Sequence, residues 1–143
     1  MQGVYTATAK ITTTGGDVLA ITAASNISIE ILRAELSSND ETNIMAECGL
    51  YRATSATGTA VTELQTEPGA ATATATVVHT ATPTGQASDA LYRAFAPMTG
   101  GWIYAPTPEE RIVVKGGACL ILELTETITS ASVIGTLVWR EIG

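Results

Sequence analysis

The sequence predicts an all-β domain, an antiparallel β-sandwich of jelly-roll type. Apolar residues recur at period two along most of the chain, and Gly and Pro interrupt these runs at short intervals. Thr and Ala together supply about a third of the 143 residues. The β-branch of Thr restricts χ1 and packs well on a pleated surface, while Ala fits where two sheets approach closely. About nine to eleven short strands at this spacing suit a sandwich or barrel, and an immunoglobulin-like sandwich is the alternative to the jelly roll. No alternation of strand and helix patterns occurs, which excludes a parallel nucleotide-binding sheet.

The elements follow in order. Residues 4–13 and 17–23 are extended runs flanking Gly15-Gly16, a pattern that predicts a hairpin. Ile27, Ile29 and Ile31 alternate with Ser28 and Glu30. The helix formers of IEILRAEL compete with this period, but the alternating isoleucines favour a strand, with a bulge where Leu32, Ala34 and Leu36 change phase. Residues 37–43 read as a polar loop. Ile44, Ala46, Cys48 and Leu50 then share one face of a strand over residues 44–54. Gly58 precedes a short run over residues 59–64, and Pro68-Gly69 marks a turn.

Residues 72–78 alternate Thr with Ala and Val, a ladder that predicts strand throughout. A further strand over residues 90–96 follows the Pro83-Thr84-Gly85 turn, and Gly100-Gly101 leads into Trp102-Ile103-Tyr104. Residues 111–115 form a short run ending at Gly116-Gly117. Ala118, Leu120, Leu122 and Leu124 line one face of the next strand. In the last run, residues 131–142, Val133, Leu137 and Trp139 oppose Ile134, Val138 and Ile142, so this strand is central or covers an oligomer contact. Leu50-Tyr51-Arg52-Ala53 returns as Leu91-Tyr92-Arg93-Ala94, predicting two strands in comparable sheet positions.

At 14.8 kDa the chain suits one domain, residues 1–143. Hydrophobic residues make up 45% and charged residues 15%, which argues against disorder. So low a charge content, with a mean hydropathy of +0.25, predicts that a partner covers part of the surface. A formal net charge of −7 repels phosphate backbones, so no nucleic-acid partner is expected. The opening MQGVYTATAK has no apolar signal region and no stretch nears a membrane span's length, so synthesis in a cytoplasm and no membrane partner are expected. Cys48 and Cys119 each sit in an apolar run. Two inert core thiols are favoured over a disulfide.

The search for chemistry predicts no enzyme. His79 is the single histidine, and no serine lies in a nucleophile-elbow context, Ser88-Asp89 included. One His and two distant Cys lack zinc spacing, and Asp40-Glu41 lacks the alternating oxygen pattern of a calcium loop, so no metal or cofactor is expected. Glu109 and Glu110 are neighbours, and on a strand they would point to opposite faces instead of flanking one glycosidic bond.

The most distinctive segment is GGWIYAPTPEERIVV, residues 100–114. Trp102 and Tyr104 share one side of their strand, Pro106 and Pro108 stiffen the turn, and Glu109, Glu110 and Arg111 supply charge. Aromatic rings beside arginine are common interface anchors, so these residues, with Tyr5, form the candidate interface. The rings equally suit sugar stacking or plain core.

LRAELS from Leu32, LYRATSATGTAVTE from Leu50, LYRAFAPMTGGWIYAPTPEERIVV from Leu91 and the closing TLVWREIG resemble small structural proteins of tailed phages over most of the chain. Size and composition are similar to head decoration (cement) proteins, several of which are sandwich or jelly-roll trimers. The resemblance implies a non-enzymatic virion protein, made in the bacterial cytoplasm and placed on the outer surface of the head. There it would stabilise the shell as a homo-oligomer, a trimer, bound to the major capsid protein, with residues 1–5 an N-terminal arm that orders on binding. Its motifs are strand and turn signatures. The alternative it leaves is a glycan- or receptor-binding module of a tail, fibre or baseplate.

Overall fold

In the computed structural model, which describes residues 3–43, 45–98 and 100–143, the chain forms twelve strands and one 3₁₀ turn at Pro108–Glu110. The strands are β1 (Val4–Thr13), β2 (Gly16–Thr22), β3 (Ser28–Ser38), β4 (Met45–Ala53), β5 (Ser55–Val61) and β6 (Leu64–Gln65). They continue as β7 (Thr76–Thr84), β8 (Ala90–Pro97), β9 (Trp102–Tyr104), β10 (Val113–Val114), β11 (Cys119–Leu124) and β12 (Ala131–Ile142). All pairings are antiparallel, in two sheets. Sheet I runs β10-β3-β12-β1-β6, with β9 also on β3, and sheet II runs β5-β7-β2-β11-β4-β8.

The pairing is nested. The chain ends meet as β1 with β12, the next strands inward as β2 with β11, then β3 with β9 and β10, then β4 with β8. Successive pairs alternate between the two sheets. This is the wrapping of a jelly roll and not of the alternative immunoglobulin-like sandwich, a choice that the period-two pattern alone leaves open. The segment between β4 and β8 adds the antiparallel pair β5 and β7 to the edge of sheet II and β6 to the edge of sheet I.

The inner faces make the core. Ile29, Ile31, Leu36, Val133, Leu137 and Trp139 from sheet I meet Leu19, Ile21, Leu50, Leu120, Leu122 and Leu124 from sheet II. In β3 the ladder to β12 passes from Arg33 to Ile31, so Leu32 bulges as its change of phase predicts, keeping Ile29, Ile31, Ala34 and Leu36 inward.

Three expectations are corrected. Residues 4–13 and 17–23 are strands but not a hairpin, since β1 lies in sheet I and β2 in sheet II. Gly15, at φ 134, sits where a Cβ would come within 2.7 Å of the Glu126 carbonyl oxygen, and the glycine pair turns a corner between sheets. The ladder over residues 72–78 holds only from Thr76. Before it, Ala75 is buried and Thr74 exposed, but side chains take the backbone bonds. Glu141 Oε1 accepts the N–H of Thr74 (2.6 Å) and of Ala75 (3.0 Å), and the Tyr5 hydroxyl donates to the Ala71 carbonyl (2.9 Å). The period reports burial there, not a strand partner.

The third correction concerns the arm. Met1 and Gln2 lie outside the described residues, as does Ile44. Val4 and Tyr5 belong to β1, and Tyr5 is buried with its ring stacked on Trp139 at 5.9 Å. A large apolar ring gains more in the core than on a free tail.

Sheet II also carries a small core on its outer face. The β5–β7 pair kinks where Gly58 leaves the register and Thr80 takes a positive φ of 51. A Cβ at Gly58 would lie 2.5 Å from the His79 carbonyl oxygen, so the kink requires glycine. Beyond it Ala56 and Ala81 pack on Ala20, Tyr51, Cys119 and Ile121.

Candidate functional site

The candidate residues converge on one side of the sandwich, where the outer strand β8 of sheet II faces β9 and β10 of sheet I. Alternation along β8 turns Tyr92, Ala94 and Ala96 inward, opposite Leu50, Cys48 and Ala46, and turns Arg93 and Phe95 outward. Alternation along β9 turns Trp102 and Tyr104 inward and Ile103 outward. Tyr92 therefore meets Trp102 across the gap at a centroid separation of 5.8 Å and Tyr104 at 5.0 Å, with 6.5 Å between the latter two. Such pairs contribute about 0.5–1.5 kcal/mol each beyond area burial. The trio closes the mouth of the core between the sheets.

Polar links brace the same side. The Tyr104 hydroxyl donates to the Glu110 carbonyl (3.0 Å), holding the 3₁₀ turn against β9. Burial, with Glu110 and Tyr92 nearby, raises the Tyr104 phenol above its ordinary value. Arg52 Nη1 donates to the Val113 carbonyl (3.1 Å), joining β4 to β10 across the sheets. Glu30 is buried between two arginines, Arg111 at 3.8 Å and Arg140 in a closer pair. A groove of about 530 Å³ runs past Arg52, Leu91, Tyr92, Tyr104, Glu110 and Arg111.

Of the predicted interface residues, Trp102 and Tyr104 are each only 8% exposed, so their rings serve the core edge. Pro106 and Arg111 are half-buried, and Pro108, Glu109 and Glu110 are exposed. Tyr5 is not at this site. It lies in the core of sheet I. Sequence reasoning missed the accessible members: Tyr92 (43% exposed), Phe95 (61%), Ile103 (62%), Leu91, Val113 and Met45. Among the described residues, six of the nine exposed large apolar side chains lie along β8, β9, β10 and the start of β4. The LYRA echo held the signal. Its two copies lie on neighbouring antiparallel strands with faces reversed, so Tyr51 enters the outer cluster while Tyr92 points to the sandwich mouth.

The other candidate chemistry is dispersed. His79 Nδ1 lies 2.9 Å from the hydroxyl of its neighbour Thr80. Among the described residues no three of His, Cys, Asp and Glu converge as metal ligands, and no helix is long and apolar enough to cross a membrane. Cys48 and Cys119 are free and buried. Cys48 pairs with Leu124 on the inner face and Cys119 with Ala53 on the outer face, so their side chains point apart. Burial pushes the Cys48 thiol up to about 12 and raises Cys119 as well.

Fold and site together define a β-sandwich of jelly-roll topology with an apolar, aromatic-backed edge. No family model matches the chain, and no curated protein or solved structure matches it either.

Proposed function

We propose that this chain is a non-enzymatic structural protein of a tailed-phage virion, a decoration protein that binds the outside of the head and stabilises it as an oligomer. The observation that carries the interaction role is the concentration of exposed apolar side chains along the β8–β9–β10 edge. Three further features support it. Both sheets end there in edge strands with one side open, the aromatic trio stacks between them, and the jelly roll recurs in viral shells. A contact repeated around a symmetry axis multiplies weak binding, so an oligomer on the capsid protein needs no single strong site. The phage assignment itself rests on the sequence resemblance. Its test is to add the purified chain to heads assembled without it and image them. Regular extra density on the outer shell is expected, and bare heads would overturn the reading.

The groove beside Tyr92 favours one second reading, a glycan-binding module of a tail or baseplate. An accessible ring flanked by Arg52, Arg111 and Glu110 suits a saccharide ring and its hydroxyls. Saccharide binding abolished by Tyr92→Ala, on a chain that stays off the heads, would select that reading.

A further inference from the structure

Strand β8 ends sheet II on one side and pairs only with β4, so its other side is an open edge. Two contacts give the direction of its backbone groups. The Cys48 thiol donates to the Ala94 carbonyl (3.6 Å), and a Cβ at Gly49 would lie 2.8 Å from the Tyr92 carbonyl oxygen. Both carbonyls therefore point to β4. Successive residues of a strand turn their N–H and C=O groups to opposite sides. Those of Arg93 and Phe95 thus point away from β4, and nothing among the described residues bonds them.

Such a row of free groups is a template for another strand. The opposite edge of sheet II, β5, is blunted by the kink at Gly58 and exposes Ser55, Thr57 and Thr59. Over residues 92–97 of β8 the ladder to β4 is unbroken, and Tyr92 and Phe95 stand exposed.

The order of side chains selects the strand that fits, a second β8 run antiparallel. A two-fold axis at Ala94 sets Arg93 opposite the partner's Phe95, and every free N–H and C=O of these residues then finds a bond. The neighbouring registers fail. An axis at Arg93 opposes two like charges. An axis at Phe95 sets Arg93 against the partner's Pro97, which has no N–H and whose carbonyl already accepts from Gly101 (2.8 Å). Charge suits the same register. Arg93 lies 3.6 Å from Glu47 of its own chain, so each edge is locally neutral while the guanidinium lies beside the partner's Phe95 ring.

We propose that β8 pairs with β8 of a second copy about a two-fold axis at Ala94, joining two copies of sheet II into one continuous sheet. The same axis turns the β9–β10 edge of each copy, with Ile103 and Val113 exposed, towards that of the other. A contact of this kind closes on itself, so it yields a dimer in place of the trimer that the phage resemblance implies. The pairing rests on the interaction role proposed for this edge and holds whether or not the chain decorates a head.

The test is disulfide mapping on the full chain. In the proposed register Arg93 and the partner's Phe95 form a hydrogen-bonded pair with Cα atoms about 5.5 Å apart, the usual span of a disulfide. Arg93→Cys and Phe95→Cys, both on exposed side chains, are mixed and oxidised, and the products weighed. The buried Cys48 and Cys119 do not compete. The mixed disulfide should form in clear excess over random pairing, because either variant with itself sits on a diagonal about 7–8 Å apart. Sedimentation of the wild-type chain should shift towards a dimer as concentration rises. Phe95→Pro removes an N–H that the fold does not use and should stay monomeric with its melting midpoint little changed. A wild-type chain monomeric at every concentration, or disulfides in random proportion, would overturn the pairing, and both results stand even where Phe95→Pro does not fold. A chain that fails both tests yet coats heads would assign the edge to the capsid protein instead. A dimer with the expected disulfide that leaves heads bare would support the pairing and sink decoration alone.

Discussion

Asp17 of β2 and Glu123 of β11 are register partners on the outer face of sheet II, two carboxyl groups held side by side at a bulge in the ladder. Gln86, from the turn between β7 and β8, donates to Glu123 Oε2, and Asp17 Oδ1 is buried without a partner. Burial, then the charge of Glu123 and a hydrogen bond to it, raises Asp17 from the ordinary aspartate range to about 7. Two carboxylates this close share a proton more readily than they both ionise.

Stability should therefore fall as pH rises across that interval. Between about pH 4 and pH 7 the folded chain keeps a proton that the unfolded chain has released. The contribution is whole below about pH 4 and gone above the folded value. Asp17→Asn removes the titration and keeps the shape. Denaturant unfolding should show the variant close to wild type at pH 4 and more stable at pH 8, by about 1–2 kcal/mol after solvent screening. Equal differences at the two pH values would refute the shared proton.

Glu141 holds a segment that has no strand partner. Its buried carboxylate accepts two backbone N–H groups from residues 74 and 75, fixing the approach to β7 against the end of β12. Glu141→Ala leaves both donors bare and should cost about 2–3 kcal/mol, read from the urea midpoint. Glu141→Gln keeps an acceptor oxygen and should cost roughly half of that.

The two thiols should be silent in the folded state. Both are buried, on opposite faces of sheet II, with Cys48 raised to about 12. A thiol reagent at pH 8 should label neither until the chain unfolds, and a reductant should leave the melting midpoint unchanged. Rapid labelling of the native chain would contradict the register of β4 and β11.

Much of this fold was legible because one face of most strands must be apolar. The run over residues 131–142 reproduces β12 to the residue, and the phase change at Leu32 locates a real bulge. Partner choice was not legible. The Gly15-Gly16 pair looks like a hairpin turn because its local chemistry is the same whether the chain folds back or changes sheet. Cys119 and Ile121 lie outward of the main core yet are buried, since Ala56 and Ala81 cover them from far away in the sequence. The site was half legible for the same reason. Trp102 and Tyr104 announced the aromatic edge, but the exposed side chains, Phe95 and Ile103, are those that alternation turns outward once their strands are known to lie at sheet edges.

Those two residues give the edge its sharpest test. Phe95 and Ile103 project from opposite sheets and are among the most exposed large side chains, so each can be changed without opening the core. Phe95→Asp and Ile103→Asp should each alter folding stability by no more than about 0.5 kcal/mol, the ordinary range for surface positions. An acidic group on an apolar contact must be desolvated on association, so both changes should shift the sedimentation of a concentrated sample towards the monomer. The same two variants should bind heads less well if decoration uses this edge. A wild-type chain that sediments as a monomer at every concentration, with both variants binding heads unchanged, would show that the apolar edge carries neither contact.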